Sequence, residues 1–176
     1  MSNSKKQNQI SVGIVMGSQS DWIVMKEAVE QLDELEITNE SLIISAHRTP
    51  KRIEEYTKSI LSKHLKIIIA GAGGAAHLPG MMASHCNIPV IGVPIENTSL
   101  NGLDSLLSIV QMPKGIPVAT MCIGKSGAKN AAIFAAQILS LDNNHIKKKL
   151  TSWRKQMTSQ VPLKPKSINE KKSAEK

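Results

Sequence analysis

The chain has 176 residues, enough for one domain with its own core, and only four aromatic side chains: Trp22, Tyr56, Phe134 and Trp153. So few aromatics leave single-stranded nucleic acid almost nothing to stack on, and no apolar run approaches the roughly 18 residues that a membrane span needs. The net charge of +8 belongs to the ends: residues 10–142 hold ten basic and twelve acidic side chains, whereas residues 143–176 hold ten Lys or Arg against two Glu.

In chain order, residues 1–9 are polar, have no apolar core of a signal peptide, and are expected to form a disordered tail. Ile10–Met16 reads as a buried strand and Asp21–Glu36 as a helix. Met25, Ala28, Val29, Leu32 and Leu35 line one face of that helix at spacings of three and four. Leu42–Ser45 is a second strand, and Pro50–Ser62 a helix opened by proline in its first turn. Lys66–Ala70 is a third strand with a short helix around Gly80–His85, and Pro89–Val93 a fourth with a helix at Leu103–Gln111. Ile116–Cys122 is a fifth strand, followed by an Ala-rich helix at Ser126–Ser140. Ile146–Gln160 is an extra helix with Leu150 and Trp153 at apolar positions. It has no strand to cover, and is expected to dock on another subunit. A basic disordered tail over residues 161–176 completes the chain.

Strands alternating with helices over short connections imply right-handed crossovers and a parallel sheet covered on both faces. Five such units predict an α/β, flavodoxin-like three-layer sandwich with a five-stranded parallel sheet, in a single domain over residues 10–160. Cys86 and Cys122 have no paired spacing and sit among apolar residues. They are expected to be buried structural thiols of a protein in a reducing compartment, the cytoplasm.

Three segments follow apolar strand runs and converge on the carboxyl edge of such a sheet. The first is Met16-Gly17-Ser18-Gln19-Ser20-Asp21-Trp22. A glycine turn, two hydroxyls and a helix start suit a phosphate, whereas Asp21 suits ribose hydroxyls; equally, Ser20 or Asp21 reads as a plain helix cap. The second is Ser45-Ala46-His47-Arg48-Thr49-Pro50. Arg48 there is a fork for phosphate, and His47 is the side chain best suited to proton transfer near neutral pH; an exposed loop pair is the plainer reading. The third is Gly71-Ala72-Gly73-Gly74-Ala75-Ala76-His77, a wall of small residues with His77 at its rim. Together they describe a site for a small anionic metabolite.

Two other motifs mislead. Gly71-x-Gly73-x-x-Ala76 imitates a dinucleotide fingerprint, but Leu78-Pro79-Gly80 interrupts the helix expected beneath a pyrophosphate. Gly124-Lys125-Ser126 imitates the end of a P-loop, with Ala119 where its first glycine is required. The five His and two Cys have no metal-ligand spacing.

Gly17-Ser18-x-Ser20-Asp21-Trp22, Ser45–Pro50, Gly71–Gly80 and Ser108-Ile109-Val110-Gln111-Met112-Pro113 together closely resemble the N5-carboxyaminoimidazole ribonucleotide mutase family of purine synthesis, over about residues 10–160. The resemblance implies a flavodoxin-like homo-octamer with the C-terminal helix packed on a neighbour. It also implies a ribonucleotide substrate, and no metal, ATP or organic cofactor, nucleic acid or membrane. By the same resemblance Ser18, Ser20 and Arg48 hold phosphate and Asp21 the ribose. Ser45, Ala46, Gly73, His77 and Leu78 line the base and carboxylate pocket, and His47 is the proton shuttle. A closed pocket is expected, so that released carbon dioxide stays beside the ring carbon. Glu96-Asn97-Thr98-Ser99-Leu100 departs from the family pattern. The competing readings are an aminoimidazole ribonucleotide carboxylase using free carbon dioxide, a nicotinamide-dependent oxidoreductase and a non-catalytic nucleotide-binding module.

Overall fold

A computed structural model describes residues 10–96 and 99–165. The two outer tails, residues 1–9 and 166–176, and Asn97-Thr98 of the departing loop lie outside the described residues. Five strands form one all-parallel sheet: β1 (Val12–Met16), β2 (Asn39–Ile43), β3 (Ile67–Gly73), β4 (Val90–Ile95) and β5 (Ala119–Thr120), in the order β2-β1-β3-β4-β5. The helices are α1 (Trp22–Glu34), α2 (Pro50–Lys58), α3 (Ile60–Lys63), α4 (Leu78–His85), α5 (Leu103–Val110), α6 (Lys125–Leu139) and α7 (Asn144–Ser159). This is the predicted three-layer, flavodoxin-like sandwich.

The central strands alternate between two apolar layers, as a parallel sheet buried on both faces requires. Val12, Ile14, Met16, Ile67, Ile69, Ile91 and Val93 face α1 and α6, whose contact is Ala-rich: Ala28 meets the layer that includes Ala128, Ala131, Ala132 and Ala135. Small residues there let the two helices approach closely. Val15, Ile68, Ala70 and Val90 face the other way, toward Ile53 and Tyr56 of α2, Met82 of α4 and Ile109 of α5.

Several element boundaries differ from expectation. β2 covers Asn39–Ile43 rather than Leu42–Ser45, with Asn39 opposite Val12 and Ile43 opposite Met16. It is an edge strand, so polar residues facing solvent serve as well as apolar ones. The helix expected over Pro50–Ser62 divides at Ser59, whose hydroxyl donates to the Tyr56 carbonyl at 2.7 Å and competes with the helical ladder. β5 shrinks to two residues, because Pro117 precedes it with no N–H to donate. Cys122 lies past that short strand and is exposed; Cys86 is half-buried, its Sγ 3.2 Å from the Met82 carbonyl, and burial raises its thiol pKa. The expectation of two buried thiols therefore fails for Cys122 and is met only in part by Cys86.

The extra helix does have a surface to cover on its own chain. Ile146, Leu150 and Trp153 of α7 join the α1–α6 layer, and the Trp153 indole donates to Glu34 at 3.2 Å. Glu36, just after α1, accepts from Lys149 and from His145 Nε2, the latter at 2.9 Å. The hydrogen bonds from Lys149 and His145 lower its carboxyl pKa.

Candidate active site

In this strand order the chain moves outward from β1 to β2 on one side, then to β3 on the other. The carboxyl ends of β1 and β3 therefore splay connections in opposite directions and leave a crevice between them. A cavity of about 300 Å³ occupies that crevice. Gly17, Ser18 and Asp21 reach it from beyond β1, Ser45, Ala46, His47 and Arg48 from beyond β2, and Ala72, Gly73, Ala75, His77 and Leu78 from the end of β3 and the turn into α4. Nine of the ten residues singled out in the sequence line it. Ser20 stands just behind, its hydroxyl 2.7 Å from that of Ser18. Gly17 of the glycine turn, with Ala72 and Ala75 of the wall of small residues, completes the lining.

Arg48 ties the first two segments together. Its Nε donates to Ser45 Oγ at 3.1 Å and its Nη2 to the Gly17 carbonyl at 3.0 Å. Thr49 closes the turn beneath, donating to the Ser45 carbonyl and accepting the Ser45 N–H. The guanidinium is thus fixed on Ser45 Oγ and on the Gly17 carbonyl, next in sequence to Ser18, a cationic and hydroxylic corner suited to a phosphate.

Asp21 is both cap and candidate ligand. Its Oδ2 accepts the Ser18 N–H at 2.9 Å, while its Oδ1 is buried without a partner; the residue is only 3% exposed. Burial raises its carboxyl above the ordinary aspartate value, although hydrogen bonds from Ser18 and Gly17 and the charge of Arg48 pull the other way. An unmatched acceptor at the cavity wall is what a sugar hydroxyl would satisfy. Because the folded value is raised, the folded chain holds this proton more tightly than the unfolded one. Ionising Asp21 therefore costs stability as pH rises through that raised value, and nothing well below the ordinary one. In Asp21→Asn, the melting temperature relative to the parent should shift in the variant's favour between about pH 4 and about pH 7. A difference that stays flat, or moves the other way, would contradict the assignment.

The glycine segment differs from its expected form. β3 runs on through Gly73, so Gly71 and Gly73 are strand residues and not a phosphate turn. That removes the dinucleotide reading for a better reason than the one given by Leu78-Pro79-Gly80. Those three residues in fact form the first turn of α4, where proline lacks no bond. The turn itself falls on Gly74, in left-handed backbone at φ 64°. Ser105 of α5, fully buried, accepts the Gly74 N–H at 2.8 Å and donates to the Ile95 carbonyl at 2.9 Å. Ser108, in the motif noted above, donates to Asp104 O at 2.7 Å and lies 3.5 Å from Gly74 O. Ser105 was missed because a serine on an amphipathic helix reads as a solvent position. Ser105→Ala would leave a half-buried N–H and a buried carbonyl without this partner, and should cost about 1–3 kcal/mol in denaturant unfolding. An unchanged midpoint would show that the turn holds without it.

His47 and His77 are brought together across 30 residues of chain: Nε2 of His47 lies 2.7 Å from Nδ1 of His77, with rings nearly perpendicular at 80°. His47, Arg48 and His77 are exposed. The closed pocket expected from the sequence is therefore an open cleft among the described residues of the single chain, none of which lines it from above the sheet edge. A larger groove of about 480 Å³ between α6 and α7 gathers Lys129, Asn130, Trp153 and Gln156 but no comparable pair of proton-transfer groups. Among the described residues no cluster of His, Cys, Asp and Glu could hold a metal ion.

A family model described as AIR carboxylase matches residues 11–160. Among curated relatives, proteins named N5-carboxyaminoimidazole ribonucleotide mutase recur. That of Bacillus subtilis is 55% identical over 152 residues, covering 86% of this chain and 93% of the relative. That of Pyrococcus abyssi is 58% identical over 146 residues, covering 83% of each. That of Escherichia coli is 49% identical over 158 residues, covering 90% and 94%. Among solved structures, Treponema denticola PurE superposes with a TM-score of 0.77 at 29% identity, covering 84% of this chain and 91% of that one.

Proposed function

The chain belongs to the AIR carboxylase family, and we propose that it is an isomerase moving the carboxylate of N5-carboxyaminoimidazole ribonucleotide from the exocyclic nitrogen to the imidazole ring carbon. The observation that carries this reading is the meeting of His47, Arg48 and Asp21 with a wall of small residues at the β1–β3 crevice. Ser18, Ser20 and Arg48 would take the phosphate and Asp21 the ribose. Ser45, Ala46, Gly73, His77 and Leu78 would border the base and its carboxylate.

The chemistry needs little more. The N–C bond of the carbamate breaks, carbon dioxide leaves, and the nitrogen that keeps the electron pair takes a proton from His47. The electron-rich ring carbon then attacks the carbon dioxide, forming a C–C bond and a tetrahedral carbon. That carbon returns its hydrogen to His47 as a proton, so one imidazole first donates and then accepts. The hard task is to keep carbon dioxide beside the ring.

Because the cleft is open in one chain, that enclosure calls for a second copy or for the substrate itself. Leu103, Leu107 and Val110 lie along one stripe of α5 and are each about half exposed, an apolar surface that supports self-association. A homo-octamer is the assembly we propose, with the cytoplasm as its compartment. No described helix is long and apolar enough to cross a membrane. Light scattering should give eight times the 19.1 kDa chain mass; a monomer would sink that assembly.

The activity is tested by supplying freshly made N5-carboxyaminoimidazole ribonucleotide in carbon-dioxide-depleted buffer and following ultraviolet absorbance. Rapid conversion to the ring-carboxylated isomer is expected. Activity only from aminoimidazole ribonucleotide plus bicarbonate would make the protein a direct carboxylase, and silence in both would leave a nucleotide-binding module.

A further inference from the structure

His77 does more than line the cleft. Its ring sits on a fixed base: it precedes α4, its N–H bonds the Ala75 carbonyl at 2.8 Å, and its carbonyl accepts from Met81 at 2.9 Å. Two residues before Ala76, Gly74 is pinned to Ser105. His47 by contrast stands on the loop after β2, exposed and joined to the rest of the site through the bond to His77.

A hydrogen bond of 2.7 Å between two imidazole nitrogens holds one proton. The tautomers of the two rings are therefore linked. If Nε2 of His47 carries the proton, Nδ1 of His77 is bare; if Nδ1 of His77 carries it, Nε2 of His47 is bare.

We propose that His77 is a positioning residue that accepts from His47 Nε2–H, so that Nδ1 of His47 is the nitrogen that exchanges a proton with the substrate. This rests on the mutase reading above. The reverse arrangement would have His77 Nδ1–H donate into His47 Nε2 and leave the proton of His47 on Nδ1. Neutral His47 would then have no free lone pair with which to accept the ring-carbon hydrogen. With His77 as acceptor, the same bond persists in both states of the shuttle. As imidazolium, His47 donates from Nε2 and can release the Nδ1 proton; as neutral imidazole it still donates from Nε2 and Nδ1 is bare. The ring need not turn between the two proton transfers.

The test compares two substitutions and one spectrum. Asn at position 77 keeps a carbonyl oxygen near the place of Nδ1, whereas Leu fills a similar volume with no acceptor. His77→Leu should lower kcat about 100-fold with KM changed only a few-fold, and His77→Asn should recover at least about tenfold of that loss. Equal losses in the two variants, or a change confined to KM, would make His77 a substrate contact and overturn the proposal. Nitrogen-15 NMR of the unliganded wild-type protein should find neutral His47 protonated at Nε2; protonation at Nδ1 would also overturn it. That spectrum is independent of turnover. Wild-type inactivity with an Nε2–H tautomer would therefore sink the mutase reading and leave the pairing of the two rings standing.

Discussion

Replacing His47 by Asn should abolish turnover while leaving nucleotide binding in place. His47 is the group at the cleft that can donate a proton to the substrate nitrogen and then take one from the ring carbon. Asn offers hydrogen bonds of similar reach but no titrating nitrogen. General acid–base groups contribute about 10²–10⁴-fold, so a loss of at least about 100-fold in kcat is expected, with substrate affinity measured by calorimetry within a few-fold of the parent. Arg48, Ser18 and Asp21 make no hydrogen bond to the His47 side chain, so the phosphate and ribose contacts should survive the change. A variant that keeps more than about a tenth of the activity would remove His47 from the mechanism. A variant that loses binding as severely as turnover would make it a substrate anchor.

The second large effect is structural and has the opposite sign from what helix propensity alone predicts. Gly127 lies in the first turn of α6, where a Cβ would fall 1.7 Å from the carbonyl oxygen of Cys122 and 2.8 Å from its carbon. The obstacle is backbone, held at the end of the sheet by the bond from Met121 N to Gly92 O at 2.9 Å and from Gly124 N to Pro94 O at 2.9 Å. No rotamer change relieves it. On propensity, Gly→Ala inside a helix would stabilise by up to about 1 kcal/mol. Overpacking against a fixed neighbour costs about 1–3 kcal/mol and at times more, so Gly127→Ala should be destabilising on balance. Denaturant unfolding of the variant checks this: a midpoint above the parent's would mean that the β5–α6 connection yields, and that α6 is not locked to the sheet edge there.

The site was legible in the sequence because its parts are local. Each of the three segments follows an apolar run, and the parallel sheet carries them to one edge without further information. Arg48, Asp21, Ser18 and Ser20 could therefore be placed at that edge by position, whereas their roles, and that of Ser45, come from the family resemblance. What was not legible depends on contacts between distant residues. The His47–His77 bond requires the left-handed turn at Gly74, and that turn in turn leans on Ser105 of α5, some 30 residues onward. A polar residue at a helical position gives no sign that its side chain is fully buried and bonded at both ends. β3 was expected to stop at Ala70 because glycines read as turn residues. It continues to Gly73 because β4 pairs with it as far as Ile95 opposite Gly73. Pairing overrode propensity there, just as solvent on one side of β2 allowed Asn39, Glu40 and Ser41 to form a strand without apolar alternation.

The open cleft makes retention of carbon dioxide the claim most exposed to failure. Substrate labelled with carbon-13 in the carbamate, turned over in a large excess of unlabelled bicarbonate, tests it most directly. Carbon-13 NMR of the product carboxylate should show the label carried across intact, as transfer within one enclosed site requires. A product whose carboxylate has the isotopic composition of the surrounding bicarbonate would mean that carbon dioxide escapes and returns from solution, and would contradict the mutase account.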